Sequence, residues 1–282
     1  MGGPGLPSRD DRVLAATRAL SVFIAPFLLV AFVILYLVPG HTDRLWAWTI
    51  AAQMTSMVLA SAYLGGAYFF VVAARGGHWH EIGTGFLAVT VFASLLGVAT
   101  IRHWDKFAHG HLSFWLWAGL YFTAPFLVIG VWLANRRYAA PVQPGDVVLP
   151  PVERIVIGAV GVLALGTGAA MFLDPGLFSD RWPWPLTPLT ARVMAAVLCL
   201  GGAGVAAWWD PRWTTVRLML QVEAVMVVLI LLAAVRAHDE LVADHALTWP
   251  LLVGVVLMLA GTAYLWAAHE HRSRTAASRP TT

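Results

Sequence analysis

Cysteine occurs once in 282 residues, at Cys199 within an apolar run. That excludes a disulfide framework, a thiolate metal site and redox chemistry through cysteine. Lysine is equally scarce, with Lys106 alone among 18 basic residues. Charged side chains make up 12% of the chain, about half the fraction usual in water-soluble domains. There is no block of like charge, no basic patch interleaved with aromatics, no P-loop and no dinucleotide-type glycine fingerprint. Nucleic acid and nucleotides therefore have no support as partners.

What the chain has instead is apolar surface: 59% of it is hydrophobic and the mean hydropathy is +0.73. A core this apolar needs lipid rather than water as its solvent. The expected fold is all-α, a polytopic integral membrane protein whose principal partner is the lipid bilayer. A hydrocarbon core of about 30 Å takes about 20 apolar residues per helix. On that ruler eight spans are expected, at 15–38, 49–74, 82–101, 112–134, 153–173, 189–209, 215–235 and 248–268. Arg9, Arg12 and Arg18 before the first span resemble a secretory leader. Its apolar stretch, Leu20 to Val38, is longer than a leader's and ends at Pro39-Gly40 without a small-residue cleavage site, so it is read as a retained span. Pro26 and Pro125 are expected to bend spans one and four. The 14 tryptophans fall near predicted helix ends, as indole rings do at the headgroup layer. Counting Arg and Lys on the two sides gives 12 against 6 and predicts that both termini lie in the cytoplasm, with the chain in the cell membrane.

The two halves can be laid over each other. Arg18, Pro39, Gly40, Trp46 and Trp48 match Arg154, Pro175, Gly176, Trp182 and Trp184 at a constant offset of 136. After an insertion, Val58, Leu59, Gly65 and Ala67 match Val197, Leu198, Gly204 and Ala206 at 139. Arg102, Asp105, His111 and Trp115 then match Arg236, Asp239, His245 and Trp249 at 134. The reading is two parallel four-helix repeats, 15–137 and 153–268, joined by a proline-rich linker at 138–152 and flanked by tails at 1–14 and 269–282. Four spans per unit predict a pseudo-twofold axis along the membrane normal. Small-xxx-small spacings at Ser61/Gly65, Ala62/Gly66, Ala164/Gly168, Gly166/Ala170, Ala195/Cys199/Ala203 and Gly202/Ala206 predict close helix packing.

Chemistry has two candidate places. Glu223 is the one acidic residue well inside a span, and an intramembrane carboxylate is costly unless protonated, paired or wetted. Gln221 and Arg217 share its span, while the counterparts of the three in the first half are Val89, Leu87 and Gly83. Arg192, near the far end of span six, is too distant along the normal to pair with Glu223, so no bridge between them is expected. The second place is the pair of loops on the other side: His103, Asp105, His109 and His111 in one, His238, Asp239 and His245 in the other. Their side chains are donor types for zinc or copper, so a divalent metal is the cofactor class to test, although none is predicted outright. The repeated Arg-x-x-Asp is alternatively a salt bridge holding each loop to its helix, and Thr190 a helix cap.

Three functional classes remain. A non-enzymatic accessory or scaffold protein, with membrane partners or as a homo-oligomer, fits the absent motifs. A small-solute, lipid or proton-linked transporter would have its site near Glu223. A membrane-embedded enzyme or metal handler would use the His/Asp loops.

Overall fold

The protein is all-α. The structure, a computed structural model, describes residues 9–277, with side chains to residue 270. The first eight residues and Arg279 of the expected tails lie outside the described residues. Among the described residues, eight helices are long and apolar enough to cross a membrane: α1 Ala15–Leu37, α2 Gln53–Arg75, α3 Trp79–Arg102, α4 Leu112–Tyr138, α5 Pro151–Leu173, α6 Pro188–Trp208, α7 Trp213–Arg236 and α8 Thr248–Glu270. Asp11 and Val13 are buried ahead of α1, and helix continues beyond α8 to Ala277 with His269 and Glu270 packed inside.

The helices pair in a pattern that survives exchange of the halves. Helix α1 packs on α2 as α5 packs on α6, α3 on α4 as α7 on α8, and α2 on α7 as α6 on α3. The centre is therefore α2, α3, α6 and α7. Backbone bonds between connections follow the same exchange. Trp79 N donates to Asp11 O at 2.7 Å and Trp213 N to Val147 O at 2.8 Å; Ala108 N donates to Ala47 O and Val242 N to Pro183 O, both at 2.8 Å. In each pair the donors stand 134 apart in sequence and the acceptors 136.

Close approach is built from small residues. A Cβ on Gly168 of α5 would lie 2.8 Å from the Ala195 carbonyl oxygen and 2.6 Å from Cys199 Sγ, both on α6, and one on Gly204 of α6 would lie 2.8 Å from the Ile157 oxygen. Gly166, by contrast, faces open space, so its spacing with Ala170 marks no contact. The last eight residues of α6, Gly201–Trp208, tighten into a 3-10 helix where the glycine-rich stretch presses on α5. Helices α1 and α4 continue through Pro26 and Pro125, and α1 ends in a π turn, Val33–Leu37. Two carbonyls in that turn find partners elsewhere: Leu35 O accepts from Ser56 Oγ and Tyr36 O from Arg236 Nη1.

Several sequence expectations are corrected. Trp46, Trp48, Trp182, Trp184 and Trp213 are not headgroup anchors but buried packing residues, Trp184 donating to Thr55 Oγ1 at 2.8 Å. Trp104, Trp115, Trp208, Trp209 and Trp249 are exposed, as a belt requires. The cap of α6 is Thr187, with Thr190 completing a capping box from the third helical position.

Gly168→Ala should lower stability by about 1–3 kcal/mol, because the added methyl meets backbone rather than a side chain that can turn away. Gly166→Ala should leave it unchanged or slightly raised. Thermal unfolding of the two variants in detergent checks the pair.

Candidate functional site

Helix α7 carries the polar residues singled out by sequence. Glu223 lies ten residues into it, about 15 Å along its axis at 1.5 Å per residue, and is half-buried. Its Oε1 accepts a long hydrogen bond, 3.4 Å, from Thr262 Oγ1 of α8. Gln221 Oε1 accepts from the Tyr68 hydroxyl of α2 at 2.9 Å. Arg217, one turn nearer the termini, sits 3.8 Å from Glu270. These three side chains reach α2 and α8, and none reaches Arg192.

Between α2, α7 and α8 runs a groove of about 560 Å³, lined by Tyr68, Gln221, Ala224, Thr262, Ala263 and Trp266 among others. Its walls are mainly apolar, with the Tyr68–Gln221 couple and the Thr262 hydroxyl among its hydrogen-bonding groups. Helix α8 packs less closely on α7 than α4 does on α3. Against α3, helix α4 approaches at Gly97, where a Cβ would lie 2.9 Å from the Tyr121 carbonyl oxygen. The residue 134 positions later is Leu231, a bulkier side chain at the corresponding place in α7. Accordingly 50% of the most apolar window of α3 is buried and 28% of that of α7.

On the face opposite the termini the candidate loop residues are spread over separate roles. His103 Nε2 takes a hydrogen bond from Arg192 Nη1 at 2.9 Å. Asp105 pairs with Lys106 at 2.9 Å. His109 lies between Trp104, to which it is tilted, and Phe114, which it meets edge to face, with centroids at 5.0 and 4.7 Å. His111 precedes α4 with a buried, unpartnered Nδ1. His238 contacts the Val235 carbonyl, Asp239 is exposed beside it, and His245 bonds the Trp182 carbonyl. Among the described residues no three His, Cys, Asp or Glu side chains come together as a metal would need. Neither Arg-x-x-Asp pair forms a bridge among them, since Arg236 reaches Tyr36 O instead.

Two constellations escaped the sequence reading. Glu240 places its carboxylate on the start of α2, accepting from Gln53 N and Met54 N at 2.8 Å each, where the helix dipole favours a negative charge. On the termini-bearing face, Asp11 sits at φ +59° and binds His80, whose Nε2 lies 2.8 Å from Thr214 Oγ1. Asp11 Oδ1 also accepts from His80 N and Ala140 N. Burial alone would raise the Asp11 pKa. The bond and charge of His80, with the two backbone donors, outweigh that and hold it below its ordinary value. Positions 11, 80 and 214 are too far apart for any spacing rule to join them. No family model matches this chain, and no curated protein or solved structure matches it either.

His103 lies just past the end of α3. Burial, then the positive charges of Arg192 and Arg102, push its pKa below 6.5, with Lys106 acting the same way and Asp105 pulling against them. The folded state therefore binds a proton less readily than the unfolded chain. Its contribution to stability is complete above about pH 6.5 and is lost as pH falls through the depressed value. A histidine NMR titration in nanodiscs should place the His103 midpoint below 6.5; a midpoint at or above that value contradicts the Arg192 contact.

Proposed function

We propose that this multi-pass membrane protein is a proton-linked carrier for a small amphipathic or lipid-like solute, with its site in the groove between α2, α7 and α8. The observation that carries the reading is the Glu223 carboxyl, in mid-span beside that groove, with a single long hydrogen bond from Thr262. A carboxylate in such surroundings is costly when charged and inexpensive when protonated, so loading and unloading of its proton can be coupled to occupancy. The apolar walls suit an acyl or ring portion, and the Tyr68–Gln221 couple suits a hydroxyl, amide or ester on the same molecule.

We further infer that the scaffold is a tandem duplication, supported by the matched backbone bonds and the exchangeable helix pairings. The ionisable and amide groups of the site come from the second half, and the first half contributes Tyr68. Val89 and Leu87 at the positions of Glu223 and Gln221 leave the first half without these groups.

In proteoliposomes, an apolar carbodiimide should label Glu223, with labelling falling as pH rises and the carboxyl ionises. Glu223→Gln should abolish both labelling and any potential-driven proton uptake. Ala263→Phe, which fills the groove, should weaken binding of a fluorescent lipid analogue while leaving the fold intact. Proton uptake in Glu223→Gln equal to wild type would remove the reading.

A further inference from the structure

The groove leaves one costly group unexplained. Arg192, one turn into α6, is 5% exposed. Its Nη1 donates to His103 Nε2 at 2.9 Å and to the Pro188 carbonyl at 3.2 Å, and its Nε is buried with no partner. No carboxylate among the described residues forms an ion pair with it. Asp174, at the end of α5, and Arg102 act on it only through space. A guanidinium stays charged at any physiological pH, and burying it without an anion costs far more than the two neutral acceptors return.

The surroundings deepen the imbalance. A guanidinium can only donate, so His103 must accept at Nε2 and carry its hydrogen at Nδ1. Arg102, the last residue of α3, is exposed beside it, and the nearby Lys106 is already matched by Asp105 at 2.9 Å. Two guanidinium groups and an imidazole thus gather where α3 and α6 reach the face opposite the termini, and Asp174, whose Oδ1 accepts from Gly176 N at 3.0 Å, forms no ion pair with them among the described residues. A second cation is the ligand least suited to this place. An oxyanion is the one it fits, because a phosphate accepts from a guanidinium through two oxygens at once.

We propose that Arg192, His103 and Arg102 form a binding site for a phosphate-class oxyanion at the level of the lipid headgroups. The buried Arg192 supplies the fixed charge, and Arg102 and the half-buried His103 form the approach. A phospholipid headgroup and free inorganic phosphate share this chemistry. The site is independent of the groove, and its failure would leave the carrier reading standing.

The test uses the full chain in nanodiscs and reads the thermal unfolding midpoint in three settings: phosphatidylcholine alone, phosphatidylcholine with phosphatidylglycerol, and phosphatidylcholine with inorganic phosphate against potassium chloride of equal ionic strength. The midpoint should rise with at least one anion. A rise with phosphatidylglycerol alone identifies a lipid headgroup, and a rise with phosphate identifies the free oxyanion. In Arg192→Gln the apparent affinity for that anion should fall by about ten-fold or more, the loss expected for one charge-assisted pair. Should that variant fail to fold, Arg102→Gln, at an exposed position, carries the comparison in its place. No rise with either anion, or an affinity unchanged in the variant so chosen, overturns the proposal.

Discussion

Lipid gives no reward for pressing one apolar helix against another, because the tails are as apolar as leucine. Association must then come from close backbone approach and from polar groups satisfied inside the bundle. The rest of this structure depends on that constraint. Gly168 and Gly204 let α5 and α6 meet backbone to backbone, Gly97 does the same for α3 and α4, and the π turn of α1 hands two carbonyls to Ser56 and Arg236. Helix α8 packs less closely on α7 than α4 does on α3, and a groove lies between α2, α7 and α8.

The second consequence concerns connections. Apolar helices alone would slide, and here they are pinned by bonds crossing between loops and helix ends. The Asp11–His80–Thr214 chain joins the segment before α1 to the starts of α3 and α7, and Glu240 joins the connection before α8 to the start of α2. Each crosses between the halves of the chain, so the halves form one bundle rather than two. Trp46 and Trp48 pack in T-shaped contacts with the Trp117 ring, at 5.6 and 4.8 Å between centroids.

Among the polar groups that the bundle leaves incompletely satisfied, the two candidate sites hold groups of opposite charge type. Glu223 is a carboxyl with one weak donor, and Arg192 a guanidinium with two neutral acceptors. They lie at different depths and on different helices, and neither compensates the other. Each is where the scaffold departs from full internal satisfaction, and such departures persist when something outside the protein completes them.

Composition and hydropathy by themselves determined the class, the number of spans and most of their ends to within a few residues, because span length is dictated by the thickness of the hydrocarbon layer and not by contacts. Glu223 was legible for the same reason: a charge in a span is conspicuous in any apolar window. Only the tertiary structure decided which tryptophans face lipid and which fill the core, since both kinds stand at helix ends in sequence. It alone disclosed that His103 faces a cation, that Arg192 lacks a carboxylate, and that Asp11, His80 and Thr214 meet. Those partnerships join residues tens to hundreds of positions apart, and helix packing, unlike helix formation, leaves no local period to read.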